Sequence, residues 1–169
     1  DASVLNQLLL RNRQVYIDSA TRAYNRRYFD DRLRDLDGEF TLAMLDLDHF
    51  KRINDTYGHP AGDAALSRAA QAIRSAIRTG DELVRYGGDE FFLLFHDMPR
   101  DALKKKLESI RSAVEGLEFP EYPGLRITVS IGGAHAVGRL ADTVQKADQA
   151  LYRAKTTKNR TVLYKEDLQ

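Results

Sequence analysis

The chain has 169 residues, a formal net charge of +1 and no cysteine. That length can bury a core and makes one domain the default, and the near-zero charge gives no reason to expect a nucleic-acid-binding surface. Without cysteine there are no disulfides and no thiolate metal sites; no apolar run reaches the length of a membrane span, and no signal peptide is visible. Because the first residue is Asp1 rather than Met, the chain is expected to be a cytoplasmic piece of a longer protein. It is expected to make no membrane contact itself, with room for an anchor in a preceding part.

In chain order, residues 2–17 carry Leu5, Leu9 and Tyr16 on one stripe with Asn12, the pattern of a helix with a single apolar seam. Such a seam either pairs with a second copy or packs on its own domain. Asn25 is placed to cap a helix running to about Asp37. The run FTLAMLDLD (40–48) reads as a buried strand ending in two acids. HFKRINDTYG (49–58) is a short helical turn leading to a longer helix over 62–79, with Leu66, Ala69, Ala70, Ile73 and Ile77 on one face. ELVRY and FFLLF then flank Gly87-Gly88 as a hairpin, which by itself asks of the glycines only positive φ angles. A helix from about Arg100 to Glu115, a strand over 126–134, a helix over Leu140–Lys155 and a strand over 161–164 follow. Strands interleaved with helices predict an α+β sandwich, a mixed sheet with helices on its faces. The lysines at 104–106 read as a solvated helix face, since no aromatic residue interleaves them.

Four acids stand out. Asp46 and Asp48 lie two apart, so in extended geometry they share a face, and Asp89 and Glu90 follow the paired glycines. If strand 40–47 neighbours the hairpin, Asp46 and Asp89 converge at one end of the sheet. Converging carboxylates repel, and a cation between them removes the conflict. Oxygen ligands without cysteine or a histidine pair favour Mg²⁺ or Mn²⁺ over zinc. Taken singly, each acid would merely end a strand or decorate a turn; together they predict a metal site. Between the two pairs, Lys51 is a point charge suited to phosphate. Asn54 and Asp63 flank the tight GHPAG turn. A carboxylate can accept from N1–H and the exocyclic amine of guanine, which makes Asp63 a guanine-reading candidate; the alternative is an ordinary cap of the following helix. His59 is read as a hydrogen-bonding residue of that turn, on the substrate side, rather than a metal ligand.

The blocks DSATRAYNRRYF (18–29), LDLDHFKRINDTYGHPAGD (45–63), RYGGDEF (85–91), TVSIGGA (128–134) and ADQALYRAK (147–155) resemble, in order and spacing, the GGDEF domains. These are diguanylate cyclases, which join two GTP into cyclic di-GMP. The resemblance covers about 18–164. It implies a palm-like sheet akin to adenylyl cyclases and ferredoxin-like folds, largely antiparallel, with residues 1–17 as a linker or signalling helix and 18–169 as the cyclase domain. By the same resemblance Asp46, Asp89, Glu90 and the Leu47 carbonyl would hold metal, two Mg²⁺ (or Mn²⁺) per GTP. Asp89, Glu90 and Lys51 would be catalytic, with either acid assisting removal of the 3′-hydroxyl proton. Asn54 and Asp63 would take guanine; Phe50, Lys51 and Lys155 would surround the triphosphate; Gly87 and Gly88 would let the α-phosphate approach. Each domain would hold one GTP, so a homodimer is the expected competent form. RTGD, Arg78 to Asp81, lies where the family places a product-inhibition site, and Arg78 and Asp81 would bind cyclic di-GMP there. Read locally, the same residues are a helix-terminal Arg and a turn Asp. A further inhibitory arginine of some relatives falls at Ser109 here, with Arg111 two residues on.

Two blocks depart from the pattern. DSATRA stands for DxLTGL, with Ala20, Arg22 and Ala23 replacing leucine, glycine and leucine; this is expected to thin the packing of the N-terminal junction. AKTTKNR lacks a glycine and reads as one residue short near Lys158. The alternative function is a catalytically weak domain that binds GTP or cyclic di-GMP as a scaffold. Asp46, Lys51, Asn54, Asp63, Gly87, Gly88, Asp89 and Glu90 all match the active pattern and favour the cyclase.

Overall fold

The computed structural model describes residues 1–165, without the side chains of 10–14; Asn12 of the predicted seam and residues 166–169 of the predicted domain lie outside the described residues. The apolar run from Phe40 becomes the centre of a five-stranded sheet ordered β2-β3-β1-β4-β5. Its strands are β1 (Asp37–Leu47), β2 (Glu82–Arg85), β3 (Glu90–Phe95), β4 (Val129–Arg139) and β5 (Thr161–Leu163). All neighbours run antiparallel except β4 and β5, which are parallel. The helices are α1 (Ala2–Val15), α2 (Arg26–Tyr28), α3 (Phe50–Tyr57), α4 (His59–Ser75), α5 (Leu103–Glu115) and α6 (Leu140–Thr157). This is the α+β sandwich expected from the sequence.

Alternation along β1 builds two cores, one on each face of the sheet. Ala43, Leu45 and Leu47 pack with Phe91, Leu93, the Ala61–Ile73 face of α4, and Leu107 and Ile110 of α5. Leu42 and Met44 turn the other way, onto Phe92, Leu94, Phe29 and Leu140, Val144 and Leu151 of α6. α6 lies so close to the sheet that a side chain at Gly132 would stand 2.8 Å from the Leu151 Cα. Glycine is required there by contact.

Several element boundaries differ from expectation. Asn25 does cap, accepting from Tyr28 N, but α2 passes at once into a π turn (Phe29–Leu33) and ends well before Asp37. Asp37–Glu39 instead pair with Val137–Arg139, so long-range pairing extends β1 at the helix's expense. For the same reason β4 runs to Arg139 rather than 134, though it starts only at Val129. α4 starts at His59, with Pro60 in its first turn where no amide hydrogen is needed, and stops at Ser75 rather than Thr79. Arg78 is therefore not a helix-terminal residue.

Candidate active site

The antiparallel register of β1 and β3 sets Asp46 opposite Glu90, and Leu47 N donates to Asp89 O at 3.1 Å. Strand β1 does neighbour the hairpin, so Asp46 and the Asp89–Glu90 pair converge at one end of the sheet. The electrostatic outcome differs from one acid to the next. Asp46 is pushed up to about 6, first by burial and then by the charge of Asp89, against the pull of Lys155. Its Oδ1 is buried without a hydrogen-bond partner. Glu90 is pushed up to about 7 by burial and by the charges of Asp148, Asp46 and Asp89, with Arg26 opposing.

Asp48, two residues on, is not part of this unsatisfied set. Its carboxylate accepts from Thr128 Oγ1 and Ser130 Oγ at 2.7 Å, Asn159 N at 2.8 Å and Lys155 Nζ at 3.0 Å. Burial works against its charge, but these donors outweigh it and hold the carboxyl below the usual range. Asp48 anchors Lys155 and the turn after α6. The Lys155 ammonium reaches across to Asp46 Oδ2 at 3.2 Å and the Leu47 carbonyl at 3.3 Å.

The paired glycines close the β2–β3 turn through Tyr86 N and Gly87 N, which both donate to Glu90 O. Neither glycine has a positive φ, contrary to the plain-hairpin expectation. A side chain at Gly88 would meet nothing within 4 Å, and one at Gly87 would meet only Glu90 Cβ at 3.6 Å. Neither turn geometry nor internal packing calls for glycine here; what the pair leaves is bare backbone facing outward beside three acids. Arg85 braces the turn from behind. It donates to Gly88 O from Nε at 3.1 Å and Nη2 at 2.7 Å, and its Nη1 pairs with Asp18 Oδ2 at 3.3 Å.

The remaining predicted residues fall into two groups. Phe50 and Asn54 on α3 lean over Gly62 of α4; Asp63 follows Gly62 on an exposed face, and Lys51 and His59 are exposed. With α4 beginning at His59, Asp63 lies inside the helix and is not its cap. Arg78 and Asp81 stand at the far end of the β2–β3 ladder from the glycines. Asp81 accepts from Arg78 N at 2.9 Å and His96 N at 2.8 Å, so its carboxylate braces the turn into β2. Arg111 is taken up by Glu108, Glu115 and Asn159.

At the junction, Ala23 is buried and Ala20 exposed, and polar contacts hold the segment: Asp18 to Thr21 and Arg85, and Arg74 to the Thr21 carbonyl. Arg22 takes a positive φ of 65° where the family pattern has glycine, and Lys158, in the block that lacks one, takes a φ of 62°. The turn after α6 therefore closes with lysine in that conformation. Sequence reasoning missed Asp148, Gly62 and the role of Asp48. Asp148 could have been found, since it lies seven residues before Lys155 on one helix and so shares its face.

A cation fits this donor set. Asp46 carries an orphaned buried oxygen, and Asp46 and Glu90 are both raised, first by burial and then by neighbouring negative charge. Among the described residues, no three acidic or histidine side chains form a closed metal cage by themselves. A cation here would also need the Leu47 carbonyl and ligand oxygens.

A five-stranded, largely antiparallel sheet with acids at the β1 end and the β2–β3 turn defines an α+β domain of the palm-like kind. The family described as diguanylate cyclase, GGDEF domain, matches residues 15–161, and the chain belongs to that family. It is 40% identical over 127 residues to diguanylate cyclase DgcM of Escherichia coli, covering 74% of this chain and 30% of DgcM. Identity is 43% over 122 residues with diguanylate cyclase DgcP of Pseudomonas aeruginosa, covering 70% of this chain and 18% of DgcP. The chain thus spans less than a third of these relatives' length. The crystal structure of the coiled coil and GGDEF domain of DgcB from Caulobacter crescentus, in complex with c-di-GMP, superposes with a TM-score of 0.86 at 30% identity, covering 96% of this chain and 92% of that one.

Proposed function

We propose that this chain is a catalytically competent diguanylate cyclase domain that condenses two GTP into cyclic di-GMP and releases two pyrophosphates. The observation that carries the reading is the convergence of Asp46, Asp89 and Glu90, raised acids included, beside a Gly-Gly turn whose Gly88 has nothing within 4 Å of its missing side chain. The 3′-hydroxyl of one GTP attacks the α-phosphorus of the other, an O–P bond forms, and the bond to pyrophosphate breaks; a second, reciprocal attack closes the ring. Glu90 or Asp89 accepts the hydroxyl proton. Glu90, held near neutrality, is matched to that task. Bare backbone at Gly87 and Gly88 admits the α-phosphate. Lys51 and Lys155 take phosphate charge, and Asn54 and Asp63 take the base, with Phe50 and His59 beside them. Divalent cations held by Asp46, Asp89, Glu90 and the Leu47 carbonyl would make the hydroxyl more acidic and offset the triphosphate charge.

One domain holds one GTP, so two copies must face each other. We assign residues 1–17 as the linker that brings them together and the remainder as the cyclase domain. Leu5 and Leu9 of α1 are 58% and 52% exposed, which favours a seam for a second copy over packing on the chain's own domain. Tyr16 is different, bonded to Asp31 and edge-on to Tyr28. Arg78 and Asp81 are proposed to bind product once Asp81 is released from its turn.

GTP turnover with Mg²⁺, products separated by chromatography, tests the proposal across a range of protein concentrations beside Asp89→Ala. Cyclic di-GMP formed at a rate per protein that rises with concentration, and lost in the variant, is the expected outcome. Nucleotide binding without product at any concentration refutes catalysis in favour of a receptor.

A further inference from the structure

We propose that Gly62 is a positioning residue for the nucleotide base: the space left by its missing side chain seats the Asn54 carboxamide so that its amide hydrogens face the ligand. The inference rests on the cyclase reading above and deepens it. Gly62 lies in α4 with no positive φ, so no turn demands glycine, and glycine weakens a helix relative to alanine. Close approach explains it. A methyl group on Gly62 would overlap Asn54 Oδ1, stand 2.9 Å from Asn54 Cγ and 3.3 Å from Phe50 Cζ. Any larger residue at 62 therefore evicts the carboxamide from its seat.

The seat is costly on its own terms. Asn54 Oδ1 is buried there without a hydrogen-bond partner, an arrangement that folding alone disfavours. With Oδ1 turned onto Gly62, the Nδ2 end points away from the α3–α4 seam and presents donors only. Asp63, the next residue after Gly62, presents an exposed carboxylate, which accepts only. A donor on α3, seated on Gly62, and an acceptor on the next residue of α4 match a guanine edge, which offers ring and carbonyl acceptors beside the N1–H and amine donors. Adenine's unprotonated N1 opposes the carboxylate. Sites that pair buried polar groups with a base discriminate strongly only while those groups stay fixed, and Gly62 supplies the fixing.

The test is a double-variant cycle on the whole chain: wild type, Gly62→Ala, Asn54→Ala and both together. Binding of a non-hydrolysable GTP analogue with Mg²⁺ is read by calorimetry, and thermal unfolding is followed in parallel. Gly62→Ala is expected to weaken the analogue about tenfold or more, and less than about twofold once residue 54 is alanine. Its thermal midpoint is expected to hold or rise, because alanine favours the helix and the displaced carboxamide no longer buries an unpartnered oxygen. A midpoint that falls and is not restored in the double variant places the clash on the backbone rather than on Asn54 and overturns the proposal. Equal weakening in both backgrounds, or none in either, also overturns it. A wild-type chain that binds the ATP analogue as tightly as the GTP analogue refutes guanine reading itself, which is a separate result.

Discussion

Replacing Asp48 by alanine leaves Thr128 Oγ1, Ser130 Oγ, the Asn159 amide and the Lys155 ammonium without their shared acceptor. The Asp48 side chain has 0% exposure, so water does not replace it. Removing one partner of a buried charged pair costs about 3–5 kcal/mol, and four donors lose their acceptor at once. Lys155 recovers part of the loss by keeping Asp46 at 3.2 Å. A destabilisation of about 4 kcal/mol is therefore expected, which for a domain of this size lowers the thermal midpoint by about 8–16 °C. Asp46→Asn is the matched control from the same end of β1. Its carboxyl is raised to about 6 by burial and Asp89 and carries an unpartnered oxygen, so a neutral amide relieves repulsion. Asp46→Asn should stabilise the ligand-free protein by about 1 kcal/mol while abolishing turnover. Urea unfolding of both variants and the wild type at pH 7.5 measures the difference. A loss below about 1 kcal/mol for Asp48→Ala, or an equal loss for the two variants, would refute this account of how the acids divide.

The raised acids also set a pH dependence. Asp46 and Glu90 lie at about 6 and about 7 in the folded chain, above their ordinary 3.8 and 4.5, so between these limits the native state binds more protons than the unfolded state. Stability should fall as pH rises from about 4 to about 7, and Mg²⁺ should flatten the slope; denaturant midpoints across that window measure both. Asp18 and Asp48 are lowered and act in the opposite sense only at more acid pH. Lys158→Gly should stabilise by about 1 kcal/mol, because φ 62° with ψ 166° is a region open chiefly to glycine; a thermal midpoint that does not rise counts against it. Arg85→Lys should lower turnover about tenfold, since a single ammonium cannot span Gly88 O and Asp18 together. Rate and unfolding measured together on that variant separate a loosened turn from a loosened fold.

Much of the fold was legible because it rests on local pattern. The apolar run from Phe40 to Leu47, the Asn25 cap and the apolar face of α4 all express preferences of short stretches, and the motif blocks placed the acids at one end of the sheet. The misplaced ends of β1 and β4 share one cause: Asp37–Glu39 and Val137–Arg139 became strand by pairing with each other across about a hundred residues. No window of sequence contains that pairing. The glycines divide in the same way. A plain hairpin would ask positive φ of Gly87 and Gly88, and the backbone shows that neither has it. Gly62 drew no notice because the Asn54 side chain that requires it sits on a different helix.

By itself, then, the sequence determined the family, the sheet-and-helix architecture and the presence of Asp46, Asp48, Asp89 and Glu90 near one another. Only the tertiary structure decided what each acid is. Asp48 is buried among donors from Thr128, Ser130, Lys155 and Asn159, and is held ionised as an anchor. Asp46 lies against Asp89, and Glu90 against Asp148, Asp46 and Asp89, both buried with too few donors, and both are left with a raised affinity for a proton. The physical reason is that a carboxyl's charge state depends on burial and on the charges and donors within a few ångströms, and those neighbours are brought in by the fold from distant parts of the chain.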